Sequence, residues 1–237
     1  MKNKHIMIAT PAYSGKVDIC YSLSFANTFH LLQSYNIKVT PCLCSSGSLL
    51  VAERNRILQE FSSSSCSHLL MVDSDLGWPA EAVLAMIESE KDFIAGVYPA
   101  RRSANEFLFR PVLNDNNTIV QENHLLKMNY IPAGFILLSK NALNKMQNKF
   151  PELYYEPKNK DVDNPKAGYC LFDTEVFEGE FWGEDFVFCR RAREAGIDIW
   201  VDPLIQFEHG GMVGMLIQAL SESPIEYKPV QLIRNKE

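Results

Sequence analysis

Two aspartates one residue apart, Asp73-Ser74-Asp75, directly follow the apolar run His68-Leu69-Leu70-Met71-Val72. Carboxylates at i and i+2 past a buried strand can turn toward one point at the strand's carboxyl end, where open α/β sheets bind their ligands. Hard oxygen donors suit Mg²⁺ or Mn²⁺, and such an ion can bridge a diphosphate. The spacing alone is a weak signal. Asp161-Val162-Asp163 repeats it, but after Lys158-Asn159-Lys160 instead of a strand, and reads as solvated. The plainer alternative for Asp73 is an aspartate capping a turn.

Three other groups could share that chemistry. Leu50, Arg54, Leu58 and Phe61 fall on one face of a helix. An arginine on an apolar face needs an anion, here Asp73, Asp75 or bound phosphates; the alternative is a side chain snorkelling at the helix edge. Trp182-Gly183-Glu184-Asp185 offers an aromatic, a glycine permitting close approach, and two acids. That suits a wall for a sugar ring and a carboxylate for its hydroxyl, although acids also favour a first helical turn on dipole grounds alone. His209 precedes Gly210 and Gly211, which let a backbone fold tightly over a ligand, so it is a candidate third metal ligand. A lone histidine is otherwise structural or merely exposed.

The elements that must position these residues follow from periodicity. Residues 6–9, 37–44, 68–72 and 93–98 read as apolar strands, separated by helices over 17–34, from about 49 to 61, and from Pro79 to about 90. Ser45 to Ser48 reads as the turn before the second helix. This β-α-β-α-β-α-β order predicts an α/β fold with a largely parallel, helix-covered sheet. Past residue 100 the pattern changes to short strand candidates at 107–113, 118–120 and 126–138, which predict a smaller mixed-strand region. Ser139 caps a helix to about 149, and 157–168 reads as a polar loop able to close over a ligand. A helix over 184–195, closed by Gly196, leads to a last strand at 197–201.

Composition bounds the function class. At 237 residues and 46% hydrophobic the chain can bury a sizeable core, and its net charge of −6 argues against nucleic acid as partner. No apolar run reaches the ~18 residues of a membrane span, and no secretory leader is expected. The six cysteines form no C-x-x-C pair and sit mostly in apolar runs, as in a cytoplasmic protein with reduced thiols.

Taken in order, the strand ending in Thr10-Pro11-Ala12-Tyr13, the Arg54-Asn55 helix, Asp73-Ser74-Asp75, the Gly183-Glu184-Asp185 helix start and His209 resemble the GT-A glycosyltransferases over roughly residues 4–211. The resemblance implies one catalytic domain, with a nucleotide-binding half to residue 100, an acceptor half over 101–211 and a tail over 212–237. It implies nucleotide contacts from Thr10, Pro11, Ala12, Tyr13, Arg54, Asp73 and Ser74, and acceptor contacts from Trp182 and Gly183. Asp73, Asp75 and His209 would hold Mn²⁺ or Mg²⁺. Asp185, with Glu184 second, would be the base. Residues 100–130 carry no matching signature.

The activity so implied is transfer of a sugar from a nucleoside-diphosphate sugar to a carbohydrate or other hydroxyl acceptor. One rival is a sugar-nucleotidyltransferase, which would be expected to carry a glycine-rich basic loop after the first strand, where this chain has only Ser14-Gly15-Lys16. The other is a non-catalytic nucleotide- or carbohydrate-binding module, which needs neither the metal ligands nor the acid pair.

Overall fold

A computed structural model describes residues 4–13, 15–44, 49–156 and 167–221. Ser14, the turn at Ser45 to Ser48, the Asp161-Val162-Asp163 sequence with most of its polar loop, and the tail beyond Ser221 lie outside the described residues.

In the first half the elements are β1 (His5–Pro11), α1 (Ile19–Ser34), β2 (Lys38–Cys44), α2 (Leu50–Ser63), β3 (His68–Val72), β4 (Leu76–Gly77), α3 (Ala80–Glu88) and β5 (Phe93–Ala95). Next come β6 (Pro99–Ala100), β7 (Ser103–Phe107), β8 (Arg110–Pro111), β9 (Gln121–Glu122), β10 (Leu125–Tyr130), β11 (Phe135–Ser139) and α4 (Lys140–Lys149). The chain continues with β12 (Tyr154–Tyr155), β13 (Gly168–Tyr169), β14 (Glu175–Phe177), β15 (Glu180–Trp182) and α5 (Glu184–Glu194). Last are β16 (Ile199–Val201), β17 (Gln206–His209), β18 (Met212–Met215) and α6 (Leu216–Ser221).

The architecture is α/β. Its nine-stranded sheet has the order β2-β1-β3-β11-β5-β16-β10-β8, with β9 on β10. β2, β1 and β3 run parallel, as do β5 and β16, whereas β11 is antiparallel to both β3 and β5. Alternation along each strand builds two apolar layers. Ile6, Ile8, Leu70 and Val72 pack with residues of α1 and α3. Met7, Ala9, Leu69 and Met71 pack with residues of α2, α4 and α5 on the other face. Helices therefore cover both sides, as the apolar strands require.

One strand boundary differs from expectation. The strand expected over 126–138 is two strands with opposite neighbours, broken between Tyr130 and Phe135. Past residue 211, β18 pairs with β17, and α6 buries Leu216 and Leu220. Among the described residues, no helix is long and apolar enough to cross a membrane.

Candidate active site

The parity of β3 decides where Asp73 points. Residues 69 and 71 face the layer of α2, α4 and α5, and Asp73 continues on that side. There it meets Arg54 of α2, which is only 1% exposed. Arg54 Nη2 donates to Asp73 Oδ1 at 3.2 Å and Oδ2 at 3.4 Å. Its Nη1 donates to Asp185 Oδ1 and lies 3.7 Å from Glu184 Oε1. The snorkelling alternative is thereby excluded: the guanidinium joins the end of β3 to the first turn of α5, under the carboxyl edge of the sheet. The Arg54 Cζ also lies 5.5 Å from the centre of the Phe172 ring.

Three carboxylates on one guanidinium leave an excess of negative charge in a desolvated place. Burial pushes Asp73 and Asp185 above the usual carboxylate range, even though Arg54 pulls both down. The Ala133 N–H also donates to Asp185 and favours its ionised form. Arg54 is held fully charged: burial opposes its charge, and Asp185 and Asp73 outweigh that.

Asp75 belongs to a second group. β17 lies against β4, with His209 opposite Leu76, which sets the histidine next to the aspartate. His209 Nε2 is 3.2 Å from Asp75 Oδ2, while Nδ1 lies 2.7 Å from the Pro99 carbonyl and donates to it. Arg101 Nη2 donates to the same Asp75 oxygen, and Arg101 Nε lies 3.1 Å from His209 Nε2. Burial would raise Asp75, but His209 and Arg101 hold it below the usual range. Burial would lower His209, but the hydrogen bonds to Asp75 and Pro99 raise it. Asp75 and His209 are thus brought together, while Asp73 is taken up by Arg54. Among the described residues no group of three His, Cys, Asp or Glu side chains stands close enough to hold an ion.

Two residues that sequence reasoning missed join the groups. Tyr98 stacks edge-on against His209 at 5.0 Å. Burial, then the charges of Asp73 and Asp185, push its hydroxyl far above the usual phenol range. Gly134, in the break between β10 and β11, accepts the Asp73 N–H at 2.9 Å. A Cβ built there would lie 2.3 Å from the Tyr98 hydroxyl and 2.5 Å from Asp73 Oδ2. Only a residue without a side chain allows that packing. The signal was the glycine inside an apolar strand pattern, which marks close backbone approach. Asn55, next to Arg54, is a third positioning residue: its amide donates to the Phe172 carbonyl at 2.8 Å and accepts the Phe172 N–H at 2.9 Å. That clamp fixes the ring beneath Arg54.

The other expected contacts divide. Tyr13, 72% exposed just past β1, presents a free aromatic face. Pro11 and Ala12 are buried, so only their backbone can be offered. The parity that sends Asp73 toward α2 sends the Thr10 side chain toward α1, where its hydroxyl is 2.6 Å from that of Tyr21. Ser74 is half-buried, and its carbonyl accepts the Asp18 N–H at 2.9 Å. Trp182 stands just before α5. It is buried among Tyr130, Phe177 and Phe186, so its indole is spent on packing. Gly183 caps α5 and has open space where a side chain would stand, leaving room for a ligand beside Glu184 and Asp185.

No family model matches the chain. No curated protein matches it either. Among solved structures, A197 from STIV is similar with a TM-score of 0.50 and 14% identity, over 87% of this chain and 85% of that one. The two share a fold. TarS 1-349 from S. aureus gives a TM-score of 0.42 at 13% identity, over 84% of this chain and 58% of its own. In complex with UDP, the same protein gives 0.37 at 13% identity, over 84% and 57%.

Proposed function

We propose that this chain is a metal-dependent glycosyltransferase, moving a sugar from a nucleoside-diphosphate sugar to an acceptor hydroxyl. The observation that carries the reading is the buried Arg54, gathering Asp73, Glu184 and Asp185 at the carboxyl edge of a GT-A-like sheet beside the Asp75–His209 pair. A structural ion pair needs one carboxylate. The surplus of acids around one guanidinium makes sense where a polar substrate and a cation complete the charge balance.

The donor set fits a divalent cation. Asp75 Oδ2 and His209 Nε2 are 3.2 Å apart, and an ion bound at about 2.1 Å separates adjacent donors by about 3 Å. The Pro99 carbonyl takes the Nδ1 proton, which leaves the Nε2 lone pair for an ion. Asp75 and His209 are therefore the ligands, with Asp73, two residues before Asp75 and held by Arg54, placed to meet the ribose. The bound ion would supply Lewis-acid neutralisation of the charge on the departing diphosphate. A nitrogen donor favours Mn²⁺ over Mg²⁺.

Asp185 is the base. Burial brings its pKa up toward working pH, Arg54 and the Ala133 N–H fix its orientation, and the open space at Gly183 admits the acceptor. The acceptor oxygen attacks the anomeric carbon, its proton passes to Asp185, and the bond to the diphosphate oxygen breaks. Glu184, further from Arg54, orients the acceptor hydroxyl, and Tyr13 stacks on the nucleobase. The test is hydrolysis and transfer across a panel of nucleotide sugars with Mn²⁺. Turnover of one of them that Asp75→Ala abolishes, with circular dichroism unchanged, supports the assignment. No turnover across the panel, or turnover indifferent to Asp75→Ala, refutes it.

A further inference from the structure

Arg101 occupies the place where Asp75 and His209 converge. It stands at the turn between β6 and β7, and its guanidinium reaches both side chains at once, Asp75 Oδ2 through Nη2 and His209 Nε2 through Nε. Its stem is bedded on Gly210: a Cβ there would lie 3.2 Å from Arg101 Cγ and 3.5 Å from its Cβ. Gly210 has φ +58°, so the residue after His209 both turns the chain and leaves room for the stem. The adjacent Arg102 does something different, pairing with Glu106 on the surface.

The contacts are asymmetric in exposure. The Arg101 side chain is 69% exposed, against 17% for Asp75 and 12% for His209. Asp75 and His209 are fixed from behind by the pairing of β4 with β17, while the arginine approaches from solvent on a turn. Resting on the metal site proposed above, we propose that Arg101 competes with the divalent ion for Asp75, pairing with the carboxylate until the ion binds and being expelled when it does. Its positive charge and a dication cannot share the Asp75 oxygen, so the arginine sets the threshold at which the enzyme loads metal. An ion pair this exposed is weak, so the threshold is a modest one.

The test is the Mn²⁺ affinity of the full chain without nucleotide, read from the electron paramagnetic resonance signal of free Mn²⁺. Arg101→Ala is expected to bind Mn²⁺ about 5-fold more tightly than wild type, the scale of one exposed ion pair removed from competition. Arg102→Ala, which deletes the same charge one residue away, should bind like wild type. His209→Ala should bind more weakly. If His209→Ala weakens binding but Arg101→Ala leaves it unchanged or weaker, the metal site stands and the role of Arg101 is refuted. Equal tightening in Arg101→Ala and Arg102→Ala refutes it too, because the effect is then one of general charge. No Mn²⁺ binding in either wild type or Arg101→Ala overturns both the role and the metal site.

Discussion

Replacing Arg54 by methionine isolates what the buried guanidinium does. Methionine fills much of the volume and keeps the helix, so the change removes charge and hydrogen bonds more than packing. In the native protein Arg54 is 1% exposed and holds Asp73 through two contacts, Asp185 through one, and Glu184 at 3.7 Å. Its loss leaves desolvated carboxylates without their cation, which is expected to destabilise the fold at pH 7 by ~3–5 kcal/mol. That is a large part of the ~5–15 kcal/mol that holds most domains together. The sign of the pH dependence follows from Asp73 and Asp185, whose pKa values burial raises above those of the unfolded chain. Between the unfolded and folded values the native state binds more protons, so these groups favour folding as pH falls. Arg54→Met removes the lowering influence and enlarges that shift. The deficit should therefore shrink as pH falls from 7 to 5. Urea unfolding followed by tryptophan fluorescence, with wild type and variant at each pH, measures it, and other titrating groups cancel in the comparison. A deficit under ~1 kcal/mol at pH 7, or one constant from pH 7 to 5, would refute the account of an acid cluster held by one cation.

Two further outcomes are expected. Gly134→Ala should displace Asp73 and Tyr98, because the new Cβ would lie under 3 Å from both; turnover on the identified nucleotide sugar should fall by about 10²-fold, and an unchanged kcat/KM would show that the close approach is incidental. His68 is buried at the far end of β3, where burial lowers its pKa to about 4, so the folded state keeps it neutral while the unfolded chain takes up a proton near 6.5. Its contribution to stability is complete above about pH 6.5 and is lost as pH falls toward 4, up to ~3 kcal/mol; His68→Gln should flatten that part of the urea profile relative to wild type, and an identical profile counts against it.

How much of this was legible beforehand depends on the range of the interactions. The apolar stripe of α2 puts Arg54 on a buried face, so its need for an anion was readable from local pattern, with Asp73 one of three candidates. Strands β1 and β3 are apolar on both faces, so the side that Thr10 or Asp73 takes was not readable. Periodicity does not name neighbours. The insertion of β11 between β3 and β5, which carries Gly134 to Asp73, is a pairing across more than sixty positions of sequence, and nothing in the apolar run over 126–138 announces it. Trp182 reads the same whether it packs on Tyr130 or on a sugar, because an aromatic ring suits both. Sequence supplied the acids and the histidine. Only the pairing of β17 with β4 decided that His209 meets Asp75 and leaves Asp73 to Arg54, because hydrogen-bonded register between distant segments is fixed by the whole sheet and not by any stretch within it.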